Sequence, residues 1–223
     1  MNKKKIYMSP PDMSEIEKEA LIKAFDSNWI APIGPCLNDF EEKISDYLGG
    51  LSSCSLSSGT AALHLALRIL GIRQGDIVLC PTLTFAASAN VILYEGATPV
   101  FLDVDPNHWT VDINLIDKAI KKYKPRAIIT VDIYGQSCDY DQILDLCDKK
   151  NVFVIEDSAE ALGSEYSHKK LGSFGDISIL SFNGNKMMTT GGGGMLVSKN
   201  NDFTKKAKFL STQARELELH YEH

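Results

Sequence analysis

The sequence lacks several features that would assign it to particular classes of protein. It has no apolar run long enough to cross a bilayer, and its lysine-rich start, residues 1–5, is followed by no apolar signal core. Its five cysteines are odd in number and are not spaced like metal ligands, which predicts reduced thiols and no metal site. The net charge of −6 disfavours a nucleic-acid partner. We therefore expect a cytoplasmic protein without membrane segments, metal ions or nucleic acid.

Apolar patterns typical of strands and of helices alternate along the chain. With 223 residues, 44% of them hydrophobic, the chain is long enough for one core. The alternation predicts an α/β fold with a mostly parallel sheet sandwiched by helices, and no composition shift marks a second domain. The predicted strands are 76–80, 98–104, 127–133, 152–157, 177–182 and 194–198. The predicted helices are 14–27, 37–48, 85–94, 113–123, 140–149 and 201–214, with a further helix that opens at 57–60.

A lysine, Lys186, stands at the head of a turn that contains the glycine run 191–194. It follows the predicted strand at 177–182, which places its amine at the carboxyl edge of the sheet, where open α/β folds bind ligands. The glycines allow another backbone or a ligand to come close, because no Cβ stands in the way. A lysine in this position suits a covalent imine. For a single lysine, however, an exposed side chain before a flexible turn is the commoner case.

An acidic residue, Asp157, ends the apolar strand 152–157 and emerges at the same edge of the sheet as Lys186. A carboxylate that leaves a buried strand needs a partner, since an unpaired buried charge is costly. A pyridinium nitrogen would be such a partner. Capping of the next turn explains Asp157 equally well.

The third feature is the hydroxyl-rich turn Ser57-Ser58-Gly59-Thr60, which opens a helix with apolar residues at 63, 66, 67 and 70. Ser57 or Ser58 can cap this helix, and the free amides at a helix start bind phosphate. Many helices begin in this way without binding a ligand. A phosphate cradle, an acid for a ring nitrogen and an imine-forming lysine together specify pyridoxal phosphate.

Several sequence motifs occur in an order that we know from one protein family. They are residues 6–11, 27–35, 58–60, 81–85 with 89–90, 156–164, 172–176, and 181–182 with Lys186. With this series the chain resembles the DegT/StrS family of nucleotide-sugar aminotransferases, which are fold type I pyridoxal-phosphate enzymes. The resemblance extends over nearly the whole chain. It implies that residues 1–223 are the large cofactor domain and that the small C-terminal domain of the family is absent from this chain.

The resemblance also implies roles for individual residues. Lys186 would hold the cofactor as an imine and then move the proton in transamination, and Asp157 would pair with the ring nitrogen. The turn at 58–60 and Ser181 would hold the cofactor phosphate.

Four further residues would surround the cofactor ring. By the resemblance, Phe85 stacks on the ring and Ala159 packs against its other face. Glu160 stands where relatives often carry glutamine or histidine, near the ring hydroxyl. Asn183 is a neighbour of the lysine.

For the whole protein the resemblance implies a homodimer that aminates a 4-keto nucleotide sugar, with glutamate as donor. The motif 181–186 is most similar to that of enzymes that use a UDP-linked 4-keto-6-deoxy amino sugar, in surface polysaccharide or glycan biosynthesis. Two alternatives stay open. One is a truncated, non-catalytic remnant that binds cofactor or dimerises. The other is a different pyridoxal-phosphate reaction such as sugar dehydration, although relatives with that activity replace the lysine by histidine.

Overall fold

A seven-stranded sheet forms the centre of the part of the chain that the structure, a computed structural model, describes: residues 5–7, 12–29 and 31–216. The strands in chain order are β1 (Ser52–Leu56), β2 (Ile77–Pro81), β3 (Thr98–Leu102), β4 (Ala127–Val131), β5 (Phe153–Asp157), β6 (Glu165–Tyr166), β7 (Lys169–Lys170), β8 (Ile177–Ser181) and β9 (Gly194–Ser198). The spatial order of the sheet is β1-β9-β8-β5-β4-β2-β3, and β6 pairs with β7 in a separate hairpin. Strands β8, β5, β4, β2 and β3 are parallel, and β9 is antiparallel to both of its neighbours.

Helices connect the strands on both faces of the sheet. They are α1 (Glu15–Asp26), α2 (Pro35–Tyr47), α3 (Gly59–Ile69), α4 (Ala86–Tyr94), α5 (Ile113–Tyr123), α6 (Tyr140–Asp148) and α7 (Asn201–Ser211). Within the described ranges, no helix is both long and apolar enough to span a membrane.

The hydrophobic core has a layer on each face of the sheet, and β4 shows why. All of its residues are buried. Ala127, Ile129 and Val131 pack with residues of α3 and α4. Ile128, on the other face, packs with residues of α5 and α6. Burial on both faces is the property of a parallel strand covered by helices on each side. The predicted sandwich of helices around a mostly parallel sheet is therefore confirmed.

Most predicted strands and helices are present with nearby bounds, and four ends differ by two residues or more. The strand predicted for 98–104 ends at Leu102, and the helix predicted for 37–48 begins at Pro35. The helix that begins at Asn201 ends at Ser211 rather than at 214. The strand predicted for 127–133 ends at Val131, because Ile133 already belongs to a 3-10 turn, Ile133–Gly135. The motif residues 8–11 and 30, and the chain end at 217–223, lie outside the described residues.

Strand β1 was missed because its sequence, Ser-Ser-Cys-Ser-Leu, has no apolar run. Its hydrogen bonds explain why it is nevertheless a strand. Ser53 Oγ donates to the Glu41 carbonyl (2.8 Å), and the Ser55 amide donates to Glu41 Oε1 (2.7 Å). Ser52 Oγ lies 2.6 Å from Thr204 Oγ1 of α7. Partners on α2 and α7, which are distant in sequence, thus hold the Ser52 and Ser53 hydroxyls and the Ser55 amide, whereas the buried Ser55 hydroxyl has no hydrogen-bond partner among the described residues.

Two glycines let the first turn of α3 lie directly on the ends of β8 and β9. A Cβ on Gly194 would lie 2.2 Å from the carbonyl carbon of Ser58, far inside van der Waals contact. A Cβ on Gly59 would lie 3.0 Å from the Cβ of Ser181. The expectation that the glycine run permits a close backbone approach is confirmed at Gly194, whereas a Cβ at Gly191 or Gly192 would meet nothing within 4 Å.

We expect Gly194→Ala to lower the free energy of unfolding by about 1–3 kcal/mol, because the added methyl group must push the α3 backbone away from β9. Gly192→Ala is the matched control, and it should change the free energy of unfolding by no more than about 0.5 kcal/mol because its Cβ meets open space. Urea denaturation of the two variants and the parent chain measures both values. Equal stability of the two variants would contradict the role of this contact.

Candidate active site

A cavity of about 350 Å³ opens at the carboxyl edge of the sheet, between the ends of β5 and β8 and the first turn of α3. Every candidate residue singled out in the sequence lines it: Ser58, Gly59, Thr60, Phe85, Asp157, Ala159, Glu160, Ser181, Asn183 and Lys186. Its volume is in the range of cavities that bind small molecules and cofactors. Residues that are far apart in the sequence therefore share one site.

Asp157, the last residue of β5, is 5% exposed and held through both carboxylate oxygens. Ser88 Oγ of α4 donates to its Oδ2 (2.9 Å), and the Ala159 amide donates to its Oδ1 (3.2 Å). The contact with Ala159 shows that Asp157 does cap the following turn, while its position in the cavity wall leaves it able to meet a ligand. Burial raises the pKa of Asp157 to about 6, against the opposing hydrogen bonds and the charge of Lys186. The carboxyl group is therefore mainly ionised at pH 7.

The start of α3 supplies hydrogen-bond donors to the cavity. Ser58 is the N-cap, and its Oγ accepts from the Ala61 amide (3.0 Å). The amides of Gly59 and Thr60 belong to the first turn, where a helix offers no intrahelical acceptor. Together with the positive end of the helix dipole, these amides suit an anionic group. Ser181, at the end of β8, lies against this turn.

Lys186 lies in the loop between β8 and β9, and its side chain is 14% exposed. Its Nζ donates to Glu160 Oε1 (3.3 Å). The second carboxylate oxygen of Glu160 accepts from the Tyr134 amide (3.0 Å). The lysine is therefore held at the cavity wall by an ion pair rather than extended into solvent.

The remaining candidate residues contribute to the rim and the wall. Phe85 precedes α4 and is 74% exposed, so that its ring is available to a ligand at the rim. Ala159 follows β5 and is half-buried. Asn183 Nδ2 donates to Asn185 Oδ1 (3.0 Å), a second cavity residue that the sequence analysis did not single out.

A second buried aspartate, Asp132, was missed although it also follows a strand of the same sheet edge. It lines the cavity, is fully buried, and accepts from the Ser158 and Tyr140 hydroxyls (2.8 and 2.9 Å) and from the Cys138 amide (3.2 Å). Ser158 Oγ also lies 3.1 Å from Glu156 Oε1, so its single proton cannot serve both carboxylates at once. Burial and the charge of Glu156 raise the pKa of Asp132 to about 8. The signal that could have identified it is the one used for Asp157, an acidic residue at the carboxyl end of an apolar strand.

Acidic side chains can also bind metal ions. In the part of the chain that the structure describes, no three or more histidine, cysteine, aspartate or glutamate side chains are grouped so as to hold a metal ion.

The fold and the site define an α/β protein with a cavity suited to an anionic ligand at the carboxyl edge of its sheet. The chain belongs to the DegT/DnrJ/EryC1/StrS aminotransferase family, whose family model matches residues 11–223.

Among its relatives, EpsN from Bacillus subtilis strain 168, named provisionally as a pyridoxal phosphate-dependent aminotransferase, is 50% identical over 99% of this chain and 58% of its own length. GDP-perosamine synthase from Escherichia coli O157:H7 is 44% identical over 97% of this chain and 59% of its own length. The solved structure of Helicobacter pylori PseC, an aminotransferase involved in the biosynthesis of pseudoaminic acid, matches with a TM-score of 0.93 and 29% identity, over 98% of this chain and 59% of that chain. The present chain thus spans less than two thirds of the length of these proteins.

The raised pKa of Asp132 predicts a pH dependence of stability. Between about pH 4 and pH 8 the folded chain keeps a proton on Asp132 that the unfolded chain has lost, so the free energy of unfolding falls as pH rises through this window. Asp132→Asn removes this titration, and its curve of unfolding free energy against pH should be flatter than that of the parent chain by up to about 1.4 kcal/mol per pH unit. Chemical denaturation at several pH values measures the two slopes.

Asp46→Asn is the control for this measurement, because Asp46 is exposed on α2. It should leave the slope of the parent chain unchanged. Parallel curves for the parent chain and Asp132→Asn would show that Asp132 is ionised throughout.

Proposed function

We propose that this chain uses pyridoxal 5'-phosphate to transfer an amino group to the keto group of a nucleotide-linked sugar. The observation that carries the proposal is one cavity in which Lys186, the buried carboxylate of Asp157 and the first turn of α3 meet, in a chain of this family. The names of its relatives support the cofactor and the class of substrate.

The residues of the cavity fit this cofactor. We assign its phosphate to the amides of Gly59 and Thr60 and to the hydroxyls of Ser58 and Ser181, because the helix start offers unpaired donors and a positive dipole end. The close approach at Gly59 and Gly194 brings both elements within reach of one anionic group.

The ring and aldehyde of the cofactor would lie further along the cavity wall. We assign the ring nitrogen to Asp157, whose carboxylate is mainly ionised at pH 7 and so can hold a positive charge there. Phe85 and Ala159 would contact the ring faces, and Glu160 and Asn183 would lie on the side of Lys186.

The chemistry divides between the cofactor and this chain. When bound, pyridoxal phosphate supplies an aldehyde for covalent attachment and a ring that accepts electrons from the reacting carbon. Lys186 Nζ would be the atom to which the aldehyde attaches, and the same amine would carry the proton in the transamination step. Asp157 keeps the ring nitrogen protonated, and the amides of α3 fix the orientation of the phosphate. Glu160 holds the lysine at the wall through its 3.3 Å ion pair before attachment.

Further parts of the proposal concern the whole protein. We propose glutamate as amino donor and a UDP-linked 4-keto-6-deoxy amino sugar as acceptor, in polysaccharide biosynthesis, which agrees in class with the names of two relatives. We propose that residues 1–223 form the large cofactor-binding domain of that protein. A cytoplasmic location is supported by cysteines that are all free thiols. A homodimer is supported by the exposed aromatic rings of Phe85 and Tyr134 beside the cavity.

Covalent labelling tests the role of Lys186. Incubation with pyridoxal phosphate, reduction with borohydride and peptide mapping should place the pyridoxyl group on Lys186, and Lys186→Arg should abolish the label. Lys169 is the internal competitor, because burial lowers the pKa of its amine. Lys169→Arg should keep the label in full. Labelling of any other lysine as the main product refutes the assignment.

Asp157→Asn tests the acid for the ring nitrogen. We expect the half-reaction with glutamate to slow by about a hundredfold or more, because a neutral amide cannot hold the positive ring nitrogen. Some cofactor should still bind, since the donors at the start of α3 are unchanged. Asp176→Asn is the control, because Asp176 precedes β8 at the opposite edge of the sheet. The absorbance change of the bound cofactor on mixing with glutamate gives both rates, and an unchanged rate in Asp157→Asn would rule out the proposed role.

A further inference from the structure

Ser88 is a fully buried serine of α4 that lies behind the cavity wall and contacts Asp157. Its hydroxyl donates to Asp157 Oδ2 at 2.9 Å. Because the other carboxylate oxygen accepts from the Ala159 amide, the carboxylate is held from two separate elements, and rotation about its side chain would break both contacts. Ser88 therefore sets the direction in which Asp157 presents its charge.

A second hydroxyl, that of Thr84, extends this arrangement to the cavity. Thr84 Oγ1 lies 2.8 Å from Ser88 Oγ, and Thr84 is itself a lining residue. A serine hydroxyl has one proton, and that of Ser88 is given to the carboxylate, so Thr84 is the donor in the contact between the two hydroxyls. The Phe85 carbonyl, the other acceptor near Thr84 Oγ1, lies further away at 3.3 Å. Donation runs in one direction, from Thr84 to Ser88 to Asp157, which strengthens the last hydrogen bond of the series.

Other charged and titratable groups also face Asp157. Lys186 approaches from the loop between β8 and β9, Glu160 from the turn after β5, and Cys80 from β2. Burial is the largest effect and raises the pKa of Asp157, and the Ser88 hydrogen bond is the largest of the effects that oppose it, ahead of the charge of Lys186. The geometry and the electrostatics therefore single out the same residue.

We propose that Ser88 is a positioning residue that orients the Asp157 carboxylate toward the cavity and stabilises its charged form, with Thr84 as the donor behind it. The consequence for cofactor binding rests on the proposed function. The effect of Ser88 on the titration of Asp157 does not rest on the proposed function, because it is measured in the chain without ligand.

The first measurement is the titration of Asp157 in the ligand-free chain, followed by the carboxyl carbon-13 signal of labelled aspartate and assigned by its loss in Asp157→Asn. Ser88→Ala should move the titration midpoint upward by about 1–2 pH units, the size expected for one hydrogen bond to a charged group. Ser88→Thr keeps a hydroxyl and should restore most of the parent midpoint. If Ser88→Ala does not fold, Ser88→Cys takes its place. Its side chain is nearly isosteric with serine but is a weak donor, so it should also move the titration midpoint of Asp157 upward.

Ser178→Ala is the matched control. Ser178 is also buried and also donates to a buried carboxylate, Glu156 Oε2 at 2.6 Å, but it does not contact Asp157. Removal of the Ser178 hydroxyl should leave the titration midpoint of Asp157 unchanged. An unmoved midpoint in folded Ser88→Ala or Ser88→Cys, or an equal shift in Ser178→Ala, would overturn the proposal.

The second measurement is the affinity for pyridoxal phosphate as a function of pH. At pH 7 we expect Ser88→Ala to bind it roughly twofold to tenfold more weakly than the parent chain, with the two affinities converging near pH 9, where both carboxyl groups are ionised. A purely structural defect would weaken binding equally at every pH, which would contradict the proposal. Failure of the parent chain to bind pyridoxal phosphate would contradict the proposed function alone, since the titration midpoints still decide the role of Ser88.

Discussion

The close contact between the start of α3 and the ends of β8 and β9 determines the geometry of the whole site. Gly59 and Gly194 make this contact possible, because a methyl group at either position would meet Ser181 or the backbone of Ser58. The loop that contains Lys186 leaves from β8 and returns to β9, and hydrogen bonds from the Phe182 amide to the Gly193 carbonyl and from the Thr190 amide to the Phe182 carbonyl close its base. The same backbone contact thus places the helix amides and anchors the loop of the lysine.

Burial of negative charge destabilises this site. Two neighbouring residues of β5, Glu156 and Asp157, carry such charge, and each has a different role. Neighbouring strand residues point to opposite faces, so Glu156 and Asp157 meet different surroundings. Glu156 accepts from the amides of Gly172, Phe174 and Gly175 and from the hydroxyl of Ser178. These donors hold the Glu156 carboxylate in place, and they tie the segment 172–175 to the sheet. Asp157 has fewer partners and faces the cavity, which leaves its charge available to a ligand.

Much of the fold and of the site could be predicted from local patterns. Parallel strands buried on both faces have continuous apolar sequences, and their carboxyl ends meet at one edge, which is why Lys186 and Asp157 could be placed together. The serine-rich β1 could not be predicted, since its partners Glu41 and Thr204 come from distant parts of the chain. Ser88 could not be identified for the same reason. Its partner Asp157 is 69 positions away, and only tertiary packing of α4 on the sheet brings the two together.

Asp132 and Asp157 show how surroundings give two chemically identical groups opposite protonation states. Asp132 directly follows β4 and Asp157 ends the neighbouring strand β5, and the Asp132 amide donates to the Asp157 carbonyl (3.1 Å). Burial raises the pKa of both groups. For Asp132 the negative charge of Glu156 adds to this effect and the pKa is about 8, whereas for Asp157 the hydrogen bonds from Ser88 and Ala159 and the charge of Lys186 oppose it and the pKa is about 6. At pH 7 the first is therefore mainly neutral and the second mainly ionised. The buried sheet edge carries its free negative charge at Asp157, beside the lysine, where a positively charged ring nitrogen would require it.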